Sequence, residues 1–244
     1  MNNNMIFELE CGPDNDRRTL HLELPVNTVN GNSILVSYTG GVDSALLLYL
    51  LSKLNNEQSI PYFIQPIVID NRLGSADDST NKFAAGIAEH WPRISDTIRS
   101  FSKTFPNSQI LPLAKKTADP TKVQTSQIGP AVYNFYKQGN YQRIYSGINE
   151  VPGEDEVPGG YVRPAKELIV HPWYAPFYDL KKTHIMDIII QLDSLEILEL
   201  CTKCPRHVNL EDNTCSSFNC RERWWGLSKL GRQDLITRYF LKRF

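Results

Sequence analysis

Residues 34–51 constrain this chain more than any other stretch. An apolar run, Ile34-Leu35-Val36, passes through Ser37-Tyr38-Thr39-Gly40-Gly41-Val42-Asp43-Ser44 into a second apolar run, Ala45-Leu46-Leu47-Leu48-Tyr49-Leu50-Leu51. The pattern predicts a short buried strand that turns sharply into an amphipathic helix. Such a junction is an anion cradle. Adjacent glycines let the backbone approach an anion without Cβ interference. The first helix amides point outward unsatisfied, with the positive end of the helix dipole behind them. The hydroxyls of Ser37, Thr39 and Ser44 add donors around the same oxygens.

The rest of the chain alternates in the same way. Ile6 to Cys11 and Thr19 to Leu24 flank the turn signal Gly12-Pro13-Asp14-Asn15-Asp16 and predict an N-terminal hairpin that extends or covers a sheet edge. A second buried strand is expected over Tyr62–Ile69, ending in Asp70, so strand, helix and strand form a βαβ unit. Helical patterning follows through Phe83, Ile87 and Trp91, and again from Ile94 to Phe101 after Pro92. Gln109 to Leu113 is expected as a third strand. A helix through Val132, Phe135 and Tyr136 ends at Gly139, and Arg143 to Ser146 is expected as a fourth strand before Gly147. This is an α/β chain with a doubly wound, mainly parallel, Rossmann-like sheet, whose ligands sit beyond the carboxyl ends of the strands. Ser37, Asp70 and Gly147 fall on that rim.

Composition narrows the classes of partner. The chain has 244 residues, enough for one large domain or a domain with an appendage, and a formal charge of −1. That balance gives no expectation of bulk nucleic-acid or membrane-surface binding. The N-terminus lacks a secretory pattern, and no apolar run approaches the ~18 residues of a membrane span. A cytoplasmic protein without a membrane partner is expected. Four of the five cysteines lie between Cys201 and Cys220. In a reducing compartment such a cluster points to a metal site rather than to disulfides.

Two familiar phosphate loops are absent, because neither Gly-Lys-Ser/Thr nor Gly-x-Gly-x-x-Gly occurs at this junction. Thr39-Gly40-Gly41-Val42-Asp43-Ser44 instead resembles the Ser-Gly-Gly-x-Asp-Ser loop of the PP-loop ATP pyrophosphatases, with Thr39 keeping the hydroxyl. The resemblance implies an adenine nucleotide alpha hydrolase-like fold and cleavage of ATP to AMP and pyrophosphate. It further implies that Ser37, Thr39, Gly40, Gly41, Asp43 and Ser44 grip the leaving pyrophosphate, with Asp43 holding Mg²⁺ or ordering the loop.

Pro176-Phe177-Tyr178-Asp179-Leu180-Lys181-Lys182-Thr183-His184-Ile185 resembles a second PP-loop stretch, a proline-led loop entering a helix. Its lysine falls on Lys182, and His184 stands where the family has glutamate. Lysine in the first turn of a helix opposes the dipole and suits a facing anion; a solvated Lys181-Lys182 pair is the alternative. Gly147-Ile148-Asn149 resembles the Gly-x-Asn segment of one PP-loop branch, and Asp70 matches the acidic end of its adenine-side strand. In that branch Asp70, Gly147 and Asn149 would line the nucleotide pocket. Otherwise Asp70 is a cap and Gly147 serves a tight bend.

Cys201-x2-Cys204 and Cys215-x4-Cys220 make a four-thiolate set suited to one closed, structural Zn²⁺. Unmetallated buried cysteines or a redox pair are the alternatives. The tail beyond, from Arg221 to Arg243, is basic. It reads as a helix with Trp224, Trp225 and Leu227 packed on the zinc knuckle, or as a nucleic-acid contact.

Together these motifs resemble the 7-cyano-7-deazaguanine synthase family, as a divergent member. The resemblance implies an N-terminal hairpin extension (1–30), a PP-loop domain (31–195) and a small helical zinc-binding region (196–244). It implies a C–N bond-forming ligase in which ATP activates a 7-deazaguanine carboxylate and ammonia or another amine displaces AMP, with Asp43, Ser44 and Lys182 in catalytic roles. Mg²⁺, Zn²⁺, a deazapurine substrate, a macromolecular amine acceptor in some variants, and a homodimer go with it. Two alternatives stand beside it. One is a PP-loop enzyme that thiolates tRNA or joins an amine to it. The other is a zinc-stabilised, non-catalytic ATP-binding module.

Overall fold

The computed structural model describes residues 4–70, 94–117, 124–160, 163–201 and 218–241. The expected helix through Phe83, Ile87 and Trp91 lies outside them, as do Cys204 and Cys215.

The first apolar run forms β3 (Ser33–Ser37), after a hairpin of β1 (Asn4–Cys11) and β2 (Arg18–Pro25). The second forms α1 (Val42–Asn56), in which Leu46, Leu47, Leu48, Leu50 and Leu51 are all fully buried. A leucine-rich stretch without β-branched residues suits a helix, and burial on nearly every side places it in the core rather than at the surface. Then come β4 (Phe63–Asp70) and α2, whose described part is 94–104. They are followed by β5 (Ala114–Thr117), α3 (Gln124–Gln138), β6 (Tyr141–Ser146) and β7 (Trp173–Tyr174). α4 (Lys182–Gln191), α5 (Glu196–Leu200), α6 (Phe218–Lys229) and α7 (Gln233–Ile236) complete the described chain.

The five central strands are parallel and ordered β5-β4-β3-β6-β7. The chain moves outward from β3 in one direction through β4 and β5, then returns to β6 on the other side. β3 therefore borders the point where strand order reverses, the place where open α/β sheets hold ligands.

α1, α4, the hairpin leucines Leu20, Leu22 and Leu24, and Leu227 and Leu235 from the C-terminal helices share one buried cluster on one face of the sheet. On the opposite face α3 packs Val132 against Leu35, Ile67, Ile69 and Ile144. Among the described residues no helix is long and apolar enough to cross a membrane.

Two expectations are corrected. Gln109 to Leu113 contributes one bridge, Ile64 with Ile110, and the third strand is Ala114–Thr117. Gln109 has a positive φ of 50° and Pro112 has no amide to donate, so regular pairing starts only after the proline. Of the two roles expected for the hairpin, to extend or to cover a sheet edge, the first is contradicted, since it forms a separate two-stranded sheet. Every second β2 residue, from Leu20 to Leu24, faces the core, and the hydroxyls of Tyr145 and Tyr174 donate to the carbonyls of Glu23 and His21. Leu227 is buried in the cluster that holds α4 and Trp224 is 36% exposed, while Cys204 and Cys215 of the cysteine knuckle on which they are expected to pack lie outside the described residues.

Candidate functional site

The turn from β3 to α1 is held open by its own hydroxyls. Gly40 adopts a φ of 77°, in the left-handed region that glycine tolerates. Gly41 caps α1 without a side-chain acceptor. Ser44 Oγ accepts the Thr39 amide at 3.2 Å and donates to the Gly41 carbonyl at 3.1 Å. Ser44 thus orders the loop from inside, leaving Thr39 exposed on the rim and the first-turn amides of α1 uncapped. Ser37 ends β3 beside Ser146, its register partner on β6.

Gly147, just past β6, packs directly on this loop. A Cβ there would lie 3.0 Å from both Asp43 C and Ser44 N. Glycine is required by close approach, beyond any need for a bend. Asp70 is the last residue of β4, at the same sheet end.

Lys182 opens α4 and its ammonium pairs with Asp43 from the loop. It also lies 3.2 Å from Glu222 Oε2 on α6. Its side chain is 3% exposed, against 21% for Lys181, so the two lysines are not a solvated pair. Asn149 Nδ2 donates to Glu222 Oε1 at 3.4 Å and to the Glu150 carbonyl at 3.1 Å. Burial pulls the Lys182 ammonium toward the neutral form, but the charges of Asp43 and Glu222 outweigh it and its pKa rises. Burial raises the Glu222 pKa, with Asp43 acting in the same sense and Lys182 against. Two carboxylates thus share one ammonium, with Lys182 and Glu222 each 3% exposed and Asp43 24% exposed.

His184 is fully buried and ties the start of α4 to the hairpin turn. Its Nδ1 accepts the Lys181 amide at 3.0 Å, and its Nε2–H donates to the Asp16 carbonyl at 2.8 Å. The first contact is the backbone half of a capping box, made by an imidazole. Burial lowers its pKa, which keeps the ring neutral in this tautomer.

Sequence reasoning missed Glu222, and it placed the hairpin turn without its part at the site. Glu222 stands between Arg221 and Arg223 and looks like one charge of a solvated helix, yet it is 2% exposed. The turn brings Asp16 and Arg18 to the same rim. Arg18 Nε lies 2.8 Å from Asp16 Oδ1, and its NH1 donates to Glu150 and to the Asp179 carbonyl.

Of the four-cysteine set, Cys201 and Cys220 lie within the described residues and both are buried.

Architecture and loop together define a parallel α/β domain with a glycine turn at its strand-order reversal. No family model matches the chain, and no curated protein sequence matches it. Among solved structures it is similar to the U34-tRNA thiolase NcsA from Methanococcus maripaludis with its [4Fe-4S] cluster. That likeness has a TM-score of 0.42 and 13% identity, and covers 88% of this chain and 74% of that one.

Proposed function

We propose that this chain is a PP-loop enzyme that transfers AMP from ATP to an acceptor and releases pyrophosphate. The observation that supports this best is the buried Lys182 ammonium tied to Asp43, on a glycine loop at the switch point. An acceptor oxygen attacks the α-phosphorus, the bond to the bridging oxygen breaks, and negative charge gathers on the departing pyrophosphate. Loop amides and Lys182 face that charge already in place, so they stabilise it without reorganising. The partly exposed Asp43 carboxylate, in the first turn of α1 beside its uncapped amides, suits Mg²⁺. Mg²⁺ would neutralise phosphate charge there. Asn149 holds Glu222, and through it Lys182, in position.

For the acceptor, the motif resemblance favours a 7-deazaguanine carboxylate, giving an acyl-adenylate from which ammonia or an amine displaces AMP to form an amide or nitrile. A tRNA acceptor is supported by a different feature. Residues 114–146 carry five basic residues and one acidic residue. On α3 Tyr133 and Tyr136 stack at 6.0 Å and Lys137 lies 4.5 Å from the Tyr133 ring, and Lys116 of β5 lies 5.1 Å from the Phe135 ring. Lysine and stacked aromatics together suit unpaired bases and their phosphates.

Incubation with Mg-ATP and either 7-carboxy-7-deazaguanine plus ammonia or bulk tRNA separates these readings. Pyrophosphate formed with the deazapurine, together with a mass change in it, supports the first. Pyrophosphate that needs tRNA supports the second. ATP binding without pyrophosphate under either condition leaves a non-catalytic ATP-binding module. For the cysteine set we propose one structural Zn²⁺ held by Cys201, Cys204, Cys215 and Cys220. The chemistry of four thiolates fits that ion, and it supplies no step of the reaction.

A further inference from the structure

The N-terminal hairpin makes more contacts with the site than an edge cover needs. Its turn reaches two segments that carry site residues. Arg18 donates from NH1 to the Glu150 carboxylate and to the Asp179 carbonyl, while Nε and NH2 hold Asp16 at 2.8 and 3.2 Å. Glu150 follows Asn149, and Asp179 lies three residues before Lys182. The Glu150 amide donates to the Leu180 carbonyl at 2.8 Å, so Arg18 spans two segments already joined.

The same turn also grips α4 directly. The Asp16 carbonyl accepts His184 Nε2–H, and the Gly12 amide donates to Asp187 Oδ2 at 2.8 Å. Gly12 has a φ of 103°, and a Cβ there would lie 2.5 Å from His184 Cδ2 and from the Asp16 carbonyl oxygen. Lys181 completes the group, 4.0 Å from Asp16 Oδ2 and 3.6 Å from Glu156 Oε2. Glu156, Lys181, Asp16, Arg18 and Glu150 form a continuous chain of charge across three segments. A planar guanidinium can serve a carboxylate and a carbonyl at fixed angles, which an ammonium cannot.

We propose that Arg18 is a positioning residue of the ATP site, setting the Gly147–Glu150 segment and the start of α4 so that Asn149 and Lys182 meet Glu222 and Asp43. The role in catalysis builds on the function proposed above; the positional role does not. Arg18 touches neither the loop nor Lys182 and acts through Glu150 and the Asp179 carbonyl.

Amide hydrogen exchange and steady-state kinetics on Arg18→Ala and Arg18→Lys test this. In Arg18→Ala the amides of Glu150 and Lys181 are expected to exchange at least about tenfold faster, with α1 amides unchanged. Pyrophosphate release is expected to lose about tenfold or more in kcat, with a smaller change in KM for ATP. Arg18→Lys keeps the charge without the fork and should recover less than half of either effect. Unchanged exchange at both amides would overturn the proposal, and so would a rise shared equally by α1, which marks general loosening. Faster local exchange with unaltered kcat would overturn the catalytic half. If the wild-type protein releases no pyrophosphate, the proposed function fails, and exchange alone decides whether Arg18 holds these segments.

Discussion

The Lys182 ammonium lies 3.2 Å from Glu222 Oε2, and each of the two side chains is 3% exposed. Removing one partner of such a contact leaves an uncompensated charge away from water. Lys182→Met is therefore expected to cost about 3–5 kcal/mol, read from urea denaturation. Glu222→Gln removes one of two carboxylates competing for one ammonium, and should cost less than about 1.5 kcal/mol. Equal losses in both variants would contradict this division.

Gly147→Ala would bring its Cβ to 3.0 Å from two backbone atoms of the loop. Backbone cannot rotate away as a side-chain tip can, so the loop itself must shift. A stability loss of about 1–3 kcal/mol is expected, and ATP-dependent pyrophosphate release should fall by about tenfold or more. Calorimetry and a pyrophosphate assay check the two separately.

His184 gives the fold a pH dependence of known sign. Its folded pKa lies below the ordinary 6.5, because burial disfavours the charged ring. The unfolded chain then binds the proton more readily, and stability rises with pH across that window. Its contribution is complete above pH 6.5 and is lost as pH falls through the folded value. Protonation would also set an N–H against the Lys181 amide. Urea midpoints measured from pH 7.5 down to pH 5 should fall in the wild type, and His184→Gln should flatten that part of the curve.

Purified protein should carry about one zinc per chain, by elemental analysis. Cys201→Ser should lower that content and the melting temperature together. Full metal content in Cys201→Ser would remove Cys201 from the ligand set.

Local chemistry made some of this architecture legible in the sequence. The strand, glycine turn and leucine helix of residues 33–56 announce themselves because periodicity, turn chemistry and burial agree within one short stretch. The third strand was misplaced because the apolar run at 110–113 makes only a bridge, whereas the paired stretch Ala114–Thr117 carries two lysines and lacks an apolar pattern. Glu222 and Arg18 were illegible for another reason. Asn149 and Glu222 are 73 residues apart, and Arg18 and Glu150 are 132 apart. No local pattern encodes a charge partner at that range. Glu222 even lies between two arginines that suggest solvent. The departure at His184 was visible, but its meaning needed the Asp16 carbonyl on the hairpin turn.

Gly226 bears on how fast this site can respond. A Cβ at that position would lie 3.2 Å from the carbonyl carbon and oxygen of Lys182, so α6 and α4 touch backbone to backbone there. With backbone against backbone there, the ammonium of Lys182 can shift its balance between Asp43 and Glu222 by rotation about its own four-carbon stem, without displacement of α4. Such rotamer changes are intrinsically fast, on the order of picoseconds to nanoseconds in open surroundings, whereas helix displacement takes roughly microseconds to milliseconds. A change of carboxylate partner by that cation is thus a matter for one side chain and requires no movement of either helix.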